Sequence, residues 1–254
     1  MRFFSSELGH EYAKTYTFGY CNYAELEAGD NLSELYARGY LPYSGSPESK
    51  GMFYMARSGR IYLPEFELDS ECRRVAKKFE GFARETVPLK EFPIDAAWKR
   101  FWLDYFARAH GSSVMSAERL DFILNFGIIS HVGVYRDAAG TVCGYSLEIA
   151  TETMTHDWFH AWSPELDKSS FGMYVLLDIG RAAKARGAEY YYCGTVYGDS
   201  NGASYKTNLP GLEYWDGGTW VRDAKLARLK DRLKTDVERR IALLDEWKEN
   251  HPLL

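Results

Sequence analysis

The chain has 254 residues, of which 46% are hydrophobic, 16% aromatic and 26% charged, a globular composition sized for one large domain or two small ones. Its formal net charge of −5 disfavours a general nucleic-acid coating protein, which would need a net basic face, although basic residues cluster at Arg73, Arg74, Lys77 and Lys78 and again over 222–240. No apolar run approaches the roughly 20 residues that cross a bilayer, the first residues lack the apolar core of a secretory signal, and Cys21, Cys72, Cys143 and Cys193 form no CxxC pair, so free thiols in a reducing cytoplasm are expected.

Along the chain, residues 32–38 read as a short helix stopped by Gly39, 44–51 as a Gly/Pro/Ser loop and 52–55 as a strand. Residues 60–68 read as the next strand, after which Asp69 or Ser70 caps a helix over 71–84, with Glu71 favouring its positive end. Two prolines within 86–93 mark a linker between a first module, residues 1–90, and a larger domain, residues 91–254. There Trp98, Phe101, Trp102, Tyr105 and Phe106 recur at helical spacing, which predicts one wide aromatic face packed as core.

A short helix capped by Ser116 is expected over 116–125. A strand meander follows over 131–136, 142–151 and 158–162, turned at Asp137-Ala-Ala-Gly140. The turn Ser169-Ser-Phe-Gly172 opens a helix over 172–186, and 190–196 forms a further strand. Leu226, Leu229, Leu233, Val237, Ile241 and Leu244 predict an amphipathic C-terminal helix. The fold class is therefore α/β (α+β), a mixed sheet flanked by helices with a smaller N-terminal module. His156 and His160, four residues apart on one strand, are expected to share a face; with no third ligand in view they read as a polar strand face, and no metal is expected.

Meander strands followed by one helical crossover and another strand are the pattern of acyl-CoA N-acyltransferase folds, so a GNAT-like sheet is expected. In that fold the helix N-terminus after the turn receives the donor. The basic and glycine positions of the usual acetyl-CoA loop are absent, and Ser169-Ser-Phe-Gly172 stands in their place.

Tyr190-Tyr-Tyr-Cys-Gly-Thr-Val, then Tyr205-Lys206, Pro210-Gly-Leu-Glu213 and Trp220, resembles the C-terminal half of arginyl- and leucyl-tRNA–protein transferases. Ser169-Ser-Phe-Gly172 resembles that family's Ser-Leu-Gly turn, and Trp158 to Pro164 the strand before it. Leu35-Tyr-Ala-Arg-Gly-Tyr, Phe53-Tyr54, Arg60-Ile-Tyr-Leu-Pro-Glu-Phe and Cys72-Arg-Arg-Val are similar to its N-terminal region. The family's clustered N-terminal cysteines are missing: Cys21 stands alone beside Asn22-Tyr23, so no metal or iron–sulfur role carries over.

The resemblance implies transfer of an amino acid from aminoacyl-tRNA to an amine, with a protein or peptide N-terminus as acceptor and no cofactor. Lys206 would meet the 3′-terminal phosphates or the developing oxyanion, and Tyr205 would donate to that oxyanion or stack on the terminal adenine. Ser169, Ser170 and Gly172 would present hydroxyl and N–H groups at the helix start, beside the aromatic strand that carries Tyr192. Glu148 and Asp199 are candidate bases or recognisers of a cationic side chain, and Glu213 with Trp220 would fix the loop that holds Lys206. Arg60, Arg73 and Arg74 are candidates for the tRNA backbone or an acidic acceptor residue. Two alternatives are an acyl-CoA-dependent N-acyltransferase on the same fold and a non-catalytic module that binds tRNA or a peptide.

Overall fold

The computed structural model describes residues 1–6, 21–45, 47–196 and 204–222. In chain order these form β1 (Arg2–Ser6), β2 (Cys21–Glu25), α1 (Leu32–Ala37), β3 (Tyr40–Pro42), β4 (Met52–Met55), β5 (Ser58–Tyr62), α2 (Ser70–Lys78), β6 (Ala83–Pro88), α3 (Ala96–Ala109), α4 (Ala117–Leu124), β7 (His131–Arg136), β8 (Val142–Ala150), β9 (Met154–Trp162), α5 (Phe171–Ala185), β10 (Tyr190–Thr195), β11 (Leu212–Trp215) and β12 (Trp220–Arg222). The expected C-terminal helix and Asp199 lie outside the described residues. Among the described residues no helix is long and apolar enough to cross a membrane.

The chain divides into two units, one made of Met1–Tyr43, Gly51–Arg60 and Gly194–Leu254, the other of Ser44–Lys50 and Ile61–Cys193. In the first unit β1, β2, β4 and β3 form an antiparallel sheet in that order. Asn31 caps α1 by accepting from the Ser33 amide at 3.0 Å, and Gly39 ends the helix with φ 78°. A side chain is excluded at Gly39, because a Cβ there would fall 2.4 Å from Cγ of Trp215. β11 and β12 form a hairpin turned at Asp216, whose carboxylate accepts from the Gly218 and Thr219 amides, each at 2.9 Å.

In the second unit β6, β7, β8 and β9 run antiparallel, and β10 returns parallel to β9 through α5, so the mixed sheet flanked by helices is borne out. Asp69, Asp95 and Ser116 cap α2, α3 and α4 through their side chains. The aromatic stripe is core as expected: Trp98, Trp102, Tyr105 and Phe106 of α3 cluster with Val132, Val134 and Leu147 on one sheet face. Alternation along β7 turns Tyr135 to the opposite face, where it meets Phe171 and Tyr174 of α5 at ring-centroid distances of 5.6 and 6.1 Å.

Three expectations change. The strand over 60–68 stops at Tyr62, because Pro64 has no amide to extend a ladder and Leu63–Glu65 turn as a 3-10 helix instead. The helix over 71–84 stops at Lys78, and residues 83–88 form the edge strand β6 where a helix end and linker were expected. Pro88, which cannot donate, sits at the last position of that edge strand, where a missing donor costs least. Finally, His156 and His160 lie on opposite sheet faces. The β8–β9 register slips at Trp158, so His160 pairs with Ser146 and His156 with Ile149, positions of opposite parity.

Candidate functional site

The α5-facing side of the second unit's sheet carries a row of buried polar groups, set there by the alternation of four strands. Arg84 of β6 reaches over β7 and donates from one terminal nitrogen to both Glu148 oxygens, at 2.5 and 2.6 Å. Ser146 adds a donor to Oε1 of Glu148 at 2.6 Å. Gly133 makes room for them: a Cβ there would lie 2.2 Å from Ser146 Oγ and 2.8 Å from Glu148 Oε1. Asp178 of α5 places Oδ2 3.7 Å from Arg84 Nε, and burial pushes its carboxyl above the usual carboxylate range despite the pull of Arg84 and Arg181.

The row continues on β9 as Asp157, paired in register with Glu148, and His160, paired with Ser146. The slip at Trp158 brings these two within reach, and His160 Nδ1 stands 2.5 Å from Asp157 Oδ2. Asp157 is buried at 3% exposure, while the His160 ring stacks on Trp162 at 5.5 Å. Here the parallel strands part. The β9–β10 ladder holds only from Met154/Tyr190 to His156/Tyr192, whereas β9 continues to Trp162. Diverging carboxyl ends of parallel strands are where open α/β sheets receive ligands. Tyr192, one of the expected binding residues, is the last paired residue of β10 and is buried.

After β9 the chain turns into α5. Asp167 fixes the turn, accepting from Arg108 Nε at 2.8 Å and from the Trp162 indole at 3.1 Å. Ser169 Oγ donates to the Leu166 carbonyl at 2.6 Å, and Ser170 precedes the helix at φ 68° without a side-chain cap bond. Gly172 is buried in the first turn of α5. Lys78 Nζ donates to the Ser169 carbonyl at 2.7 Å, which ties α2 to the helix start. The expected basic cluster is therefore next to the expected Ser-Ser-Phe-Gly turn. Arg74 and Lys77 are exposed on α2, while Arg73 donates to the Leu68 carbonyl.

Tyr205, Lys206 and Arg60 belong to the other unit. Tyr205 and Lys206 lie half-buried in the 3-10 turn Ser204–Asn208, which fully buried Thr207 and Leu209 anchor. Arg60 is engaged locally: its Nε donates to Glu213 at 2.8 Å and its guanidinium lies 4.1 Å from the Trp220 ring centre. Glu213 also pairs with Arg222 at 3.4 Å, and the Trp220 indole donates to the Ala37 carbonyl at 2.8 Å.

Among the described residues no group of three His, Cys, Asp or Glu side chains can hold a metal ion. Burial pushes the Cys72 thiol up to about 12 and the Cys143 thiol up to about 11, which disfavours the thiolate form of both. Arg84, Asp178 and the Asp157–His160 pair were not among the residues expected from sequence. Two signals mark the place: a glycine inside the alternating strand His-Val-Gly-Val-Tyr, and an aspartate inside the apolar run Val-Leu-Leu-Asp-Ile.

No protein-family model matches the chain. It is similar to curated proteins named aspartate/glutamate leucyltransferase. That of Maricaulis maris is 23% identical over 203 residues, covering 74% of this chain and 77% of the relative. That of Cereibacter sphaeroides is 28% identical over 169 residues, with 64% and 60% covered. That of Jannaschia sp. is 39% identical over 169 residues, with 64% and 58% covered. The chain thus spans about three-fifths of the length of the last two relatives. These matches bear out the likeness to aminoacyl-tRNA–protein transferases first visible in the aromatic strand, the Tyr-Lys pair and the Glu213–Trp220 segment. Among solved structures the chain overlaps L-PGS from Bacillus licheniformis, with a TM-score of 0.45, 12% identity and 59% and 47% of the two chains covered. It overlaps FemX with a TM-score of 0.45, 10% identity and 74% and 67% covered.

Proposed function

We propose that the chain is an aminoacyltransferase that moves an amino acid from aminoacyl-tRNA to the α-amine of a protein or peptide. The narrower reading takes leucine as the amino acid and an N-terminal aspartate or glutamate as the acceptor. The observation that carries it is the similarity to curated aspartate/glutamate leucyltransferases, which reaches 39% identity over 169 residues. The polar row supports the reading, since it ends where β9 and β10 part, and diverging strand ends of this kind are where open α/β sheets receive ligands.

The donor ester is already activated, so the protein has mainly to align two substrates and stabilise charge; alignment alone supplies roughly 7–11 kcal/mol of barrier lowering. In this reading the start of α5, tied through Lys78 to the basic helix α2, meets the donor's terminal phosphates. Tyr205 and Lys206 act on the 3′ end or on the oxyanion. Residues 1–90 contribute to acceptor and tRNA recognition, and the setting is the cytoplasm.

The test offers the purified chain radiolabelled leucine on tRNA and peptides that begin with Asp, Glu, Ala or Lys. Label in the Asp and Glu peptides is the expected result. Label in other peptides would keep the reaction and overturn the acidic acceptor. Label retained on tRNA, with acetyl transferred from acetyl-CoA instead, would replace the reading with the acyl-CoA alternative.

A further inference from the structure

A groove of about 730 Å³ runs along α5, and all the residues that line it belong to the second unit. It shares Arg84 and Asp178 with the polar row but lies on the β6 side of α5, with β7 and β8 between that edge strand and the parting of β9 and β10. Its walls are of two kinds. Phe66 ahead of α2, Phe82 ahead of β6 and Tyr174 of α5 supply aromatic surface. Phe66 reaches α5 because Gly180 has no side chain; a Cβ there would meet the Phe66 ring at 3.3 Å. Arg84, Asp178, Arg181 and Lys184 supply charge.

Two of these four charges are already engaged. Arg84 gives one terminal nitrogen to both Glu148 oxygens, at 2.5 and 2.6 Å, and Lys184 donates to the Phe66 and Pro64 carbonyls at 2.8 and 3.2 Å. Asp178 is less well compensated. Its side chain is 23% exposed, its Oδ2 stands 3.7 Å from Arg84 Nε, and burial holds its carboxyl above the usual range against the attraction of Arg84 and Arg181. Arg181 follows one helical turn later and is exposed. Residues three apart are neighbours on a helix surface, so one small ligand can meet both. An accessible cation, an under-compensated anion and an aromatic wall complement a molecule that carries carboxylate, ammonium and an apolar group together.

We infer that the groove binds a free α-amino acid with an apolar side chain, its carboxylate on Arg181, its ammonium on Asp178 and its side chain against Phe66, Phe82 and Tyr174. The free α-carboxylate separates this ligand from both substrates of the transfer reading: the donor carries that group as an ester, and a peptide N-terminus carries it as an amide. The site is therefore an addition to that reading and does not depend on it.

The test follows backbone amide NMR signals of the whole isotope-labelled chain as L-leucine or L-phenylalanine is added. Isocaproate, which is leucine without its ammonium, and isopentylamine, which is leucine without its carboxylate, are the controls. Saturable shifts at the Tyr174, Ala182 and Ala185 amides are expected from both amino acids, with the two controls binding about 10-fold or more weakly. Arg181→Gln changes an exposed side chain and should weaken leucine binding about 10-fold or more, and Asp178→Asn should do the same. Melting temperature is the folding control; should Asp178→Asn fail to fold, Arg181→Gln decides alone. Isocaproate binding as tightly as leucine would make the groove an anion site and overturn the inference. So would shifts unchanged in Arg181→Gln, shifts confined to other amides, or no shift at millimolar amino acid. The readout is binding alone, so a chain that transfers nothing can uphold this inference, and a chain active in transfer can refute it.

Discussion

The ammonium of Lys78 donates to the main-chain oxygen of Ser169 at 2.7 Å, one residue ahead of the left-handed Ser170 that opens α5. A basic helix face and a helix N-terminus thereby sit side by side, each attractive to phosphate. Arg74 and Lys77 are exposed on the same helix as Lys78. Replacing both by Glu should weaken tRNA binding and flatten its salt dependence, the slope of log K against log salt falling by about 0.7–0.9 for each phosphate that is no longer neutralised. Binding measured by filter retention from low to high salt tests this. An unchanged slope would remove α2 from the tRNA surface.

Gly133 makes the polar row possible, and its replacement should expose how tightly that row is packed. A Cβ at this position would meet Ser146 Oγ at 2.2 Å, Glu148 Oε1 at 2.8 Å and Arg84 Nε at 3.1 Å, all part of one buried ion-pair network. Gly133→Ala should therefore cost about 1–3 kcal/mol, the usual penalty for overpacking. Urea denaturation monitored by tryptophan fluorescence reads it directly. Wild-type stability in this variant would mean that Arg84 and Glu148 have room to move.

These two features differ in how far the sequence announced them. Amphipathic spacing and capping chemistry revealed α3, α4 and the β7–β9 meander, since Trp98 to Phe106, Ser116 and the Asp137–Gly140 turn act locally. β6 was hidden because Pro88 reads as a break until β7 is known to lie beside it. The Arg84–Glu148 pair joins residues 64 apart in sequence, and no local pattern reveals such a pairing. His160 and Asp157 were concealed by the register slip at Trp158, which changes the face that simple alternation assigns.

Asp178 should leave a mark on the pH dependence of stability. Its carboxyl is raised above the usual range, first by burial and against the attraction of Arg84 and Arg181. The folded state therefore holds the proton more tightly than the unfolded state does. The contribution of this group favours folding below its unfolded pKa of about 3.9 and is lost as pH rises through the raised folded value. Asp178→Asn keeps a neutral side chain at every pH, so the difference in melting temperature between variant and wild type should shift in favour of the variant as pH rises from about 4 toward neutrality. A pH-independent difference between the two proteins would contradict a raised Asp178.

Lys206 separates a binding role from a role in the transfer step. Thr207 and Leu209 are fully buried on its C-terminal side, and the Leu209 amide donates to the Lys206 carbonyl at 3.0 Å, contacts of the turn that truncation of the lysine side chain leaves in place. Lys206→Ala should keep the melting temperature within a few degrees of wild type. If the ammonium stabilises the developing oxyanion, kcat falls by about 100–1000-fold while KM for the charged tRNA stays level. If it holds the 3′-terminal phosphates, KM rises instead and the salt dependence weakens. Lys206→Arg distinguishes the two further, since a phosphate site tolerates the guanidinium better than an oxyanion site shaped around a compact ammonium. Near-normal kcat/KM in Lys206→Ala would remove this residue from both the binding and the transfer step.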